Sequence, residues 1–562
     1  MGSTVGANWR NFDRVAEHET KCATTYAMRK DSEVQSQSVV FIVLAALFWI
    51  FQFSVAEAAS SKSFKEGVFQ ASSDNRVLSA FYKSQNYEGL WTARGSKARN
   101  RRIAFLKALE MAPSHGLPAT RYRLDEIEAE IKRTGNATER GRLDVKISKL
   151  FLQFASDIGS GVVDPRRVDK EIARRRPIRD QITLLNGLIK GSAIPFIAGL
   201  APNTDEYRGL LAAKASLERT KRRGGWGPTL ARRTLRPGDT GGAVVALKDR
   251  LTSLGYLRRS SGNVFNDDVV GAVIKFQAAH GLSADGVVGA GTIAMLNVGV
   301  ETRIGQIIVA MERERWLNFD RGGRHVEVNL TDYSAKIIDN GKTSFSTVAV
   351  TGAAKDNRRT PEFSDEMEFM IFNPSWYVPA SIATNEYLPL FQKDPNSLSH
   401  LQLLTTSFKP VDRASVDFAL LDEDNWPFYL REPPSQTNAL GLVKFMFPNL
   451  HNIYLHDTPQ KSLFAKQTRA FSHGCVRLED PFGFAAALLA RQTTNPKAQI
   501  SKALANDGEY QINLKDHVPV HIIYRTALIN DVGDLEFRRD IYGRDAKVLT
   551  ALKRAGVFVP AS

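Results

Sequence analysis

The sequence predicts a multidomain α+β chain, and three observations lead there. At 562 residues the chain is too long for one core, since a domain takes roughly 100–200 residues. Apolar residues recur at helical spacing in the first half, whereas from about residue 302 runs such as HVEVNLTDYSAKIID and FSTVAVTG alternate as strands do. Between them, residues 235–297 read as a compact helical unit. With 43% hydrophobic and 24% charged residues the composition is globular, which excludes wholesale disorder. Two cysteines exclude a disulfide scaffold and a multi-thiolate metal protein.

The first unit spans residues 1–60. An unbroken apolar run at 39–51 (VVFIVLAALFWIF), mostly apolar on to about 59, is shorter than the ~20 residues of a membrane span. It fits the core of a signal peptide, with Ala56-Glu57-Ala58 as an A-x-A-like cleavage site. Translation is expected from Met1 or, giving a more ordinary leader, from Met28. The signal is read as cleaved or kept as an anchor, so the rest is expected outside the cytoplasm. Cys22 then belongs to the leader, and Cys475 stands alone in an oxidising compartment.

Residues 64–225 are expected to be helical, with apolar periodicity in Arg101–Ala112 and Val145–Ile158 and breaks at Pro113, Gly116 and the Gly159–Pro165 turn. The basic clusters Arg101–Lys107 and Glu171–Arg179, with the net charge of +15, invite a nucleic-acid reading. An exported chain meets little nucleic acid, so the clusters are read first as solvated faces, then as attraction to anionic envelope surfaces. Thr220 to Arg233 combines glycine, proline and charge and reads as a linker.

In residues 235–297, Val244, Leu247, Leu251 and Leu254 share a helix face stopped by Gly255. Asp267 or Asp268 is expected to cap a second helix bearing Val270, Val273 and Phe276. Gly286, Gly289 and Gly291 imitate a dinucleotide loop but lack the strand before it. Residues 302–545 form the β-rich domain, interrupted by a Pro- and polar-rich insertion at about 380–435, and 546–562 read as a C-terminal tail.

The chemistry concentrates in Asn452 to Pro459 and in Ser472-His473-Gly474-Cys475-Val476-Arg477. A thiol with an unperturbed pKa of ~8.5 needs a base or a positive neighbour to react at neutral pH. His456, at a strand end, and His473 are the candidates. Gly474 permits a tight turn aiming the N–H groups of Gly474 and Cys475 at an oxyanion, and a helix opening at Cys475 would lower its pKa further. Arg477 suits a substrate carboxylate. The competing readings are an inert buried cysteine and a zinc site from His451, His456, His473 and Cys475. No C-x-x-C or H-E-x-x-H accompanies those residues, and the single exported cysteine favours a nucleophile.

These segments carry a family resemblance. LRPGD, the core Phe276, Gln277, Gly281, Leu282 and Asp285 to Gly289 resemble the small helical peptidoglycan-binding-like domain. His456 followed by SHGCVR resembles the signature of the L,D-transpeptidases, penicillin-insensitive enzymes of peptidoglycan cross-linking. Thr360 to Phe391, Asn438 to Asn449 and Tyr454 to Phe464 resemble their large periplasmic subgroup, while Phe81 to Trp91 and Ser114 to Tyr122 fit its scaffold domain. The resemblance spans about residues 75–545. It implies a helical scaffold, a peptidoglycan-binding-like domain and a β-rich catalytic domain with a helical or irregular lid.

For function the resemblance implies that Cys475 attacks the carbonyl between the third-residue diaminoacyl centre and the terminal D-alanine of a donor tetrapeptide stem. His456 would move the proton and the Asp457 carbonyl would orient it. His473, Gly474 and Cys475, with Tyr454 nearby, would form the oxyanion region, and Arg477 with Ser472 the substrate pocket. A second stem's amine would resolve the thioester into a 3→3 cross-link, with no metal or other cofactor. An L,D-carboxypeptidase or a protein-to-wall ligase uses the same groups; a wall-binding scaffold without catalysis is the non-enzymatic alternative. The expected partners are peptidoglycan stem peptides, with inner-membrane association through residues 39–59 if the signal is retained. The expected place is the periplasm, in cell-wall biogenesis and cell shape.

Overall fold

The computed structural model describes residues 57–355 and 357–560, so the apolar run at 39–51, Cys22, Met1 and Met28 lie outside the described residues. The N-terminal part is helical around the 24-residue helix Ala137–Ser160. Asn136 caps it by accepting from the Glu139 N–H, which satisfies one of the helix's free donors. Leu143, Ile147, Phe151, Phe154 and Ile158 fall at helical spacing on one face and meet Trp91, Phe105 and Leu185 in a shared core. Asp144 is fully buried there, and its carboxylate accepts the N–H groups of Leu90, Trp91 and Thr92 at 2.8, 2.8 and 2.6 Å.

The small unit packs Gly242–Ser253 against Asp267–Ala279 through Val244, Leu247, Leu251, Val269, Val273 and Phe276. Its second helix is capped by Asn266, one residue before the expected aspartates, which occupy the first turn. Gln277 is buried and holds the glycine-rich loop by bonding Asp285, Gly286, Val287 and Thr292. That loop is a folding element of the unit. His280 stacks on Phe276 and on Phe537 of the β-rich domain, joining the two bodies.

The β-rich domain is built on one mixed sheet. Its strands are β1 (Arg324–Asn329), β2 (Ser334–Asp339), β3 (Lys342–Gly352), β4 (Phe363–Phe372), then β8 (Val443–Met446), β9 (Leu455–His456), β10 (Ala470–Ser472), β11 (Val476–Leu478) and β12 (Tyr510–Ile523). The order is β10-β3-β11-β9-β8-β4-β12-β1-β2, and β2 also pairs with β3, so the sheet closes on itself. Strands β5 (Trp376–Tyr377), β6 (Gln402–Leu404) and β7 (Tyr429–Glu432) form a separate sheet, and β13 (Ala527–Ile529) pairs with β14 (Leu535–Phe537).

The insertion runs between β4 and β8. It has its own core of Val378, Ile382, Leu388, Phe391, Leu403, Phe418 and Leu430, plus the small sheet β5-β7-β6 that the irregular-lid reading did not foresee. Strands of two to four residues carry too little alternation to be read from sequence.

One helix, Val300–Trp316, lies inside all of this. Ile304 and Ile308 enter the N-terminal core, while Ile307, Ala310 and Met311 face Tyr207, Leu210, Ala527 and Phe537. Its last turn places four charged residues, Glu312 to Arg315, at no more than 3% exposure. Glu312 accepts from the N–H groups of Val162 and Val163, and Arg315 bonds Glu312 and Tyr207. Arg313 reaches Glu362 at 2.6 Å and Asp545 at 2.8 Å, and Glu314 takes Arg525 at 2.7 Å and Arg321 at 2.9 Å. The helix thereby fixes the helical part against the sheet.

Two expectations change here. Arg174, read within a solvated basic face, is buried and donates to Ser364 Oγ, to the Phe363 carbonyl and to the Ile522 carbonyl. Ile172 forms a parallel bridge with Glu362 just before β4, so this stretch docks on the start of that strand, where the Arg174 guanidinium satisfies strand carbonyls. The segment read as a tail is the helix Arg544–Arg554, whose Val548 and Leu552, with Val557, enter the N-terminal core. Arg313→Met should leave Glu362 and Asp545 buried with one cation fewer and cost about 3–5 kcal/mol. Chemical denaturation reads this as a lowered midpoint; an unchanged midpoint would contradict the role given to this helix.

Candidate active site

Alternation along β8, β9 and β11 separates core from chemistry. Val443, Phe445, Leu455, Val476 and Leu478 point into the core. The other face carries Lys444, His456 and Arg477, and these three stand in register: Lys444 opposite His456, and His456 opposite Arg477. Cys475 directly precedes β11, and the next helix opens only at Pro481 with Asp480 as its cap. The expected helix dipole at the thiol is therefore absent, because a strand follows Cys475 instead.

Ser472 and Gly474 shape the loop that presents the thiol. Ser472 is buried, accepts from the Gly474 N–H at 3.1 Å and donates to the Cys475 carbonyl at 2.6 Å. This corrects the expectation that Ser472 faces substrate: its hydroxyl is engaged at both ends inside the loop. It also engages the Gly474 N–H, one of the two donors expected at the oxyanion. Gly474 has φ +123, and a Cβ there would lie 3.1 Å from Ile453 Cδ1. Its carbonyl accepts from Thr360 Oγ1 at 2.6 Å, and Arg544 holds the Thr360 carbonyl at 2.9 Å. Through Arg544 and Glu362 the loop is tied to Arg313 of the central helix.

Around the half-buried thiol, Sγ lies 3.6 Å from the Asn452 carbonyl, and the neighbouring Tyr454 favours the thiolate through its backbone and its hydroxyl. Trp376 of β5 in turn favours the Tyr454 phenolate, while burial keeps that hydroxyl protonated. His456 Nδ1 lies 2.5 Å from the Asp457 carbonyl. A carbonyl only accepts, so Nδ1 carries the hydrogen and Nε2 is the basic atom.

The Asp457 carboxylate accepts from the Leu442 N–H at 2.9 Å and Lys461 at 2.7 Å, fixing the chain that orients His456. Gly441, with φ +63, lets the neighbouring turn approach: a Cβ there would be 2.3 Å from Asp457 Oδ2.

Burial sets the charge state. It pushes the Cys475 thiol up to about 11, against the opposing hydrogen bonds from Tyr454 and the charge of Arg477. Burial first, then Arg477, brings His456 down to about 3, although the Asp457 and Leu440 carbonyls favour its cation. The resting pair is thus thiol and neutral imidazole, with no preformed thiolate–imidazolium pair.

The remaining expected residues diverge. His473 Nε2 donates to Glu386 at 2.7 Å, and Glu386 also takes Arg358 at 2.5 Å. The His473 ring therefore points to the inserted lid, a correction to its expected place at the oxyanion. His451, part of the zinc reading, packs against the Phe363 ring in a tilted pair, with centroids 4.8 Å apart. Arg477 bonds Gln460 at 2.6 Å and holds a buried Nε without a partner among the described residues. Thr360, Trp376, Glu386 and Lys444 were not singled out from sequence. Only Lys444 had a local signal, a charge alternating with Val443, Phe445 and Phe447.

Iodoacetamide alkylation of Cys475 in the resting protein should keep rising as pH passes 9 toward about 11, since the thiolate forms only there. A plateau below pH 7 would contradict the neutral pair. Gly441→Ala should displace Asp457 and lower activity without touching the thiol; unchanged activity would contradict the orienting role of that turn.

Three family profiles match the chain in order: "Scaffold domain" at residues 76–213, "Putative peptidoglycan binding domain" at 240–296 and "L,D-transpeptidase catalytic domain" at 323–500. A Haemophilus influenzae protein described as "Putative L,D-transpeptidase" is 30% identical over 223 residues, covering 39% of this chain and 44% of that protein. The chain thus spans less than half the length of that relative. Crystal structures of L,D-transpeptidases from Xylanimonas cellulosilytica and Stackebrandtia nassauensis are each 16% identical, cover 53% of this chain and 100% and 97% of their own, and have TM-scores of 0.16 and 0.19. Similarity that low carries no argument. The ordered profiles do: residues 323–500 match an L,D-transpeptidase catalytic domain, with matches to a scaffold domain and a peptidoglycan-binding domain ahead of it.

Proposed function

We propose that the chain is an exported L,D-transpeptidase that forms 3→3 peptidoglycan cross-links through a thioester on Cys475. The observation that carries this reading is the thiol at the start of β11, the strand paired with the one that holds His456 with Nδ1 fixed and Nε2 basic. Cys475 Sγ attacks the donor carbonyl while His456 Nε2 takes the thiol proton. Concerted transfer suits the neutral pair, because neither ion is stable alone in this buried site. The carbonyl–nitrogen bond breaks, the proton passes to the leaving amine, and D-alanine departs. A second stem's amine then attacks the thioester, loses its proton to His456 and leaves Cys475 as the thiol.

The Cys475 N–H and the Tyr454 hydroxyl are the donors assigned to the oxyanion, and Arg477 to a substrate carboxylate. The lid supports transfer over hydrolysis: Glu386 holds His473 of the nucleophile loop, which brings the lid against that loop and limits water at the thioester. The site of action is assigned to the periplasm, on the apolar run at 39–51 and the peptidoglycan substrate.

The test is muropeptide mass spectrometry in a host lacking its own 3→3 linkages. Wild type should produce 3→3 dimers and Cys475→Ala none; trimmed tripeptides without dimers would replace the transpeptidase reading by a carboxypeptidase. His456→Gln should lower the rate of donor acylation by about 10²–10⁴-fold in single-turnover assays. A rate within threefold of wild type would contradict His456 as the proton carrier.

A further inference from the structure

We propose that Lys444 is a specificity-determining residue that binds the free carboxylate of the donor's leaving residue, an inference that rests on the transpeptidase reading. The row Lys444, His456, Arg477 crosses β8, β9 and β11 on the face away from the core. With neighbouring strands about 4.8 Å apart, the strands that carry the two cations lie roughly 10 Å apart, one on either side of the strand that carries His456. The thiol comes from the β11 side, so substrate crossing from Cys475 over His456 arrives at β8.

The proton path fixes which part of the substrate arrives there. His456 must reach the leaving amine to protonate it, so that nitrogen sits at the imidazole. In a terminal amino acid the carboxylate is two bonds from the nitrogen, which puts it beside a neighbour of His456 in the row. Arg477 lies on the side of the nucleophile and is already held by Gln460 at 2.6 Å. Lys444 lies on the other side.

Lys444 is also under-satisfied for a cation in a half-buried place. Its Nζ has one long contact, 3.5 Å to the Ser375 carbonyl. Glu509 is the carboxylate that acts on it, yet no ion pair within 4.0 Å forms among the described residues, and Glu509 instead accepts the Ser375 N–H at 2.6 Å. Met446 of β8 and Phe369 and Ile371 of β4 share this half-buried face, giving the cation an apolar surround in which a carboxylate contact is strong. An acceptor amine entering by the path of the departed one meets the same cation. Amines with an adjacent carboxylate are therefore favoured over plain alkylamines.

The experiment measures steady-state kinetics of the full chain on two tetrapeptide donors, one ending in a free acid and one in a C-terminal amide. Wild type should have a KM lower for the acid by about 10- to 100-fold, the worth of a charged hydrogen bond. Lys444→Met should lose that preference through KM with kcat within a few-fold, and Lys444→Arg should restore most of it. Circular dichroism would establish that Lys444→Met is folded. A preference kept by Lys444→Met, or a loss in kcat alone, overturns the proposal. Wild type active on both donors without distinguishing them also overturns it, while leaving the transpeptidase reading intact. Wild type that forms no acyl-enzyme with either donor contradicts that reading itself.

Discussion

Four consecutive buried charges, Glu312 to Arg315, hold this molecule together. A charge taken from water must find opposite charge and hydrogen bonds where it lands, so each fixes the segment that supplies them. Glu312 fixes the 162–163 turn and Arg315 the Tyr207 helix; Arg313 fixes Glu362 and the C-terminal helix; Glu314 fixes Arg525 and Arg321. Because Glu362 begins the passage into β4 and Arg544 grips Thr360, the same network reaches the carbonyl of Gly474. The nucleophile loop is thereby registered against the scaffold helices, far from it in sequence. That connection gives the helical N-terminal part a mechanical role in addition to any binding role.

At the other end of that chain of contacts the site works by keeping its two reactive groups neutral. A strand, not a helix, follows Cys475, so no macrodipole offsets its burial, which outweighs the help Arg477 gives the thiolate, while burial and Arg477 together disfavour the histidine cation. Such a site is quiet toward small electrophiles and gains reactivity when substrate supplies the proton acceptor at the leaving amine. The lid reaches the same loop through Glu386, which holds the His473 ring two residues before the thiol.

What was legible in the sequence was local. His456 and Cys475 announce themselves through residue types close together, and the apolar faces of Ala137–Ser160 and of the small unit through their spacing. What was not legible depends on register between distant segments. Thr360 and Glu386 meet the 472–475 loop only after β4, the lid and β10 are in place. Arg174 looked like a surface charge because sequence does not show which strand carbonyls lack a partner. Ser472 and His473 sit side by side inside the motif, yet the Ser472 hydroxyl turns into the loop and the His473 ring reaches Glu386 of the lid, which only the assembled fold decides.

The proposed chemistry passes through a thioester at one sulfur, Cys475 Sγ. Incubating the purified chain with a tetrapeptide donor, quenching in acid and mapping the peptides by mass spectrometry locates the acyl group directly. The prediction is a mass increase equal to the donor less D-alanine, on the peptide containing Cys475 and nowhere else. An acyl group on another residue, or donor turnover with Cys475 unmodified throughout the time course, would contradict it.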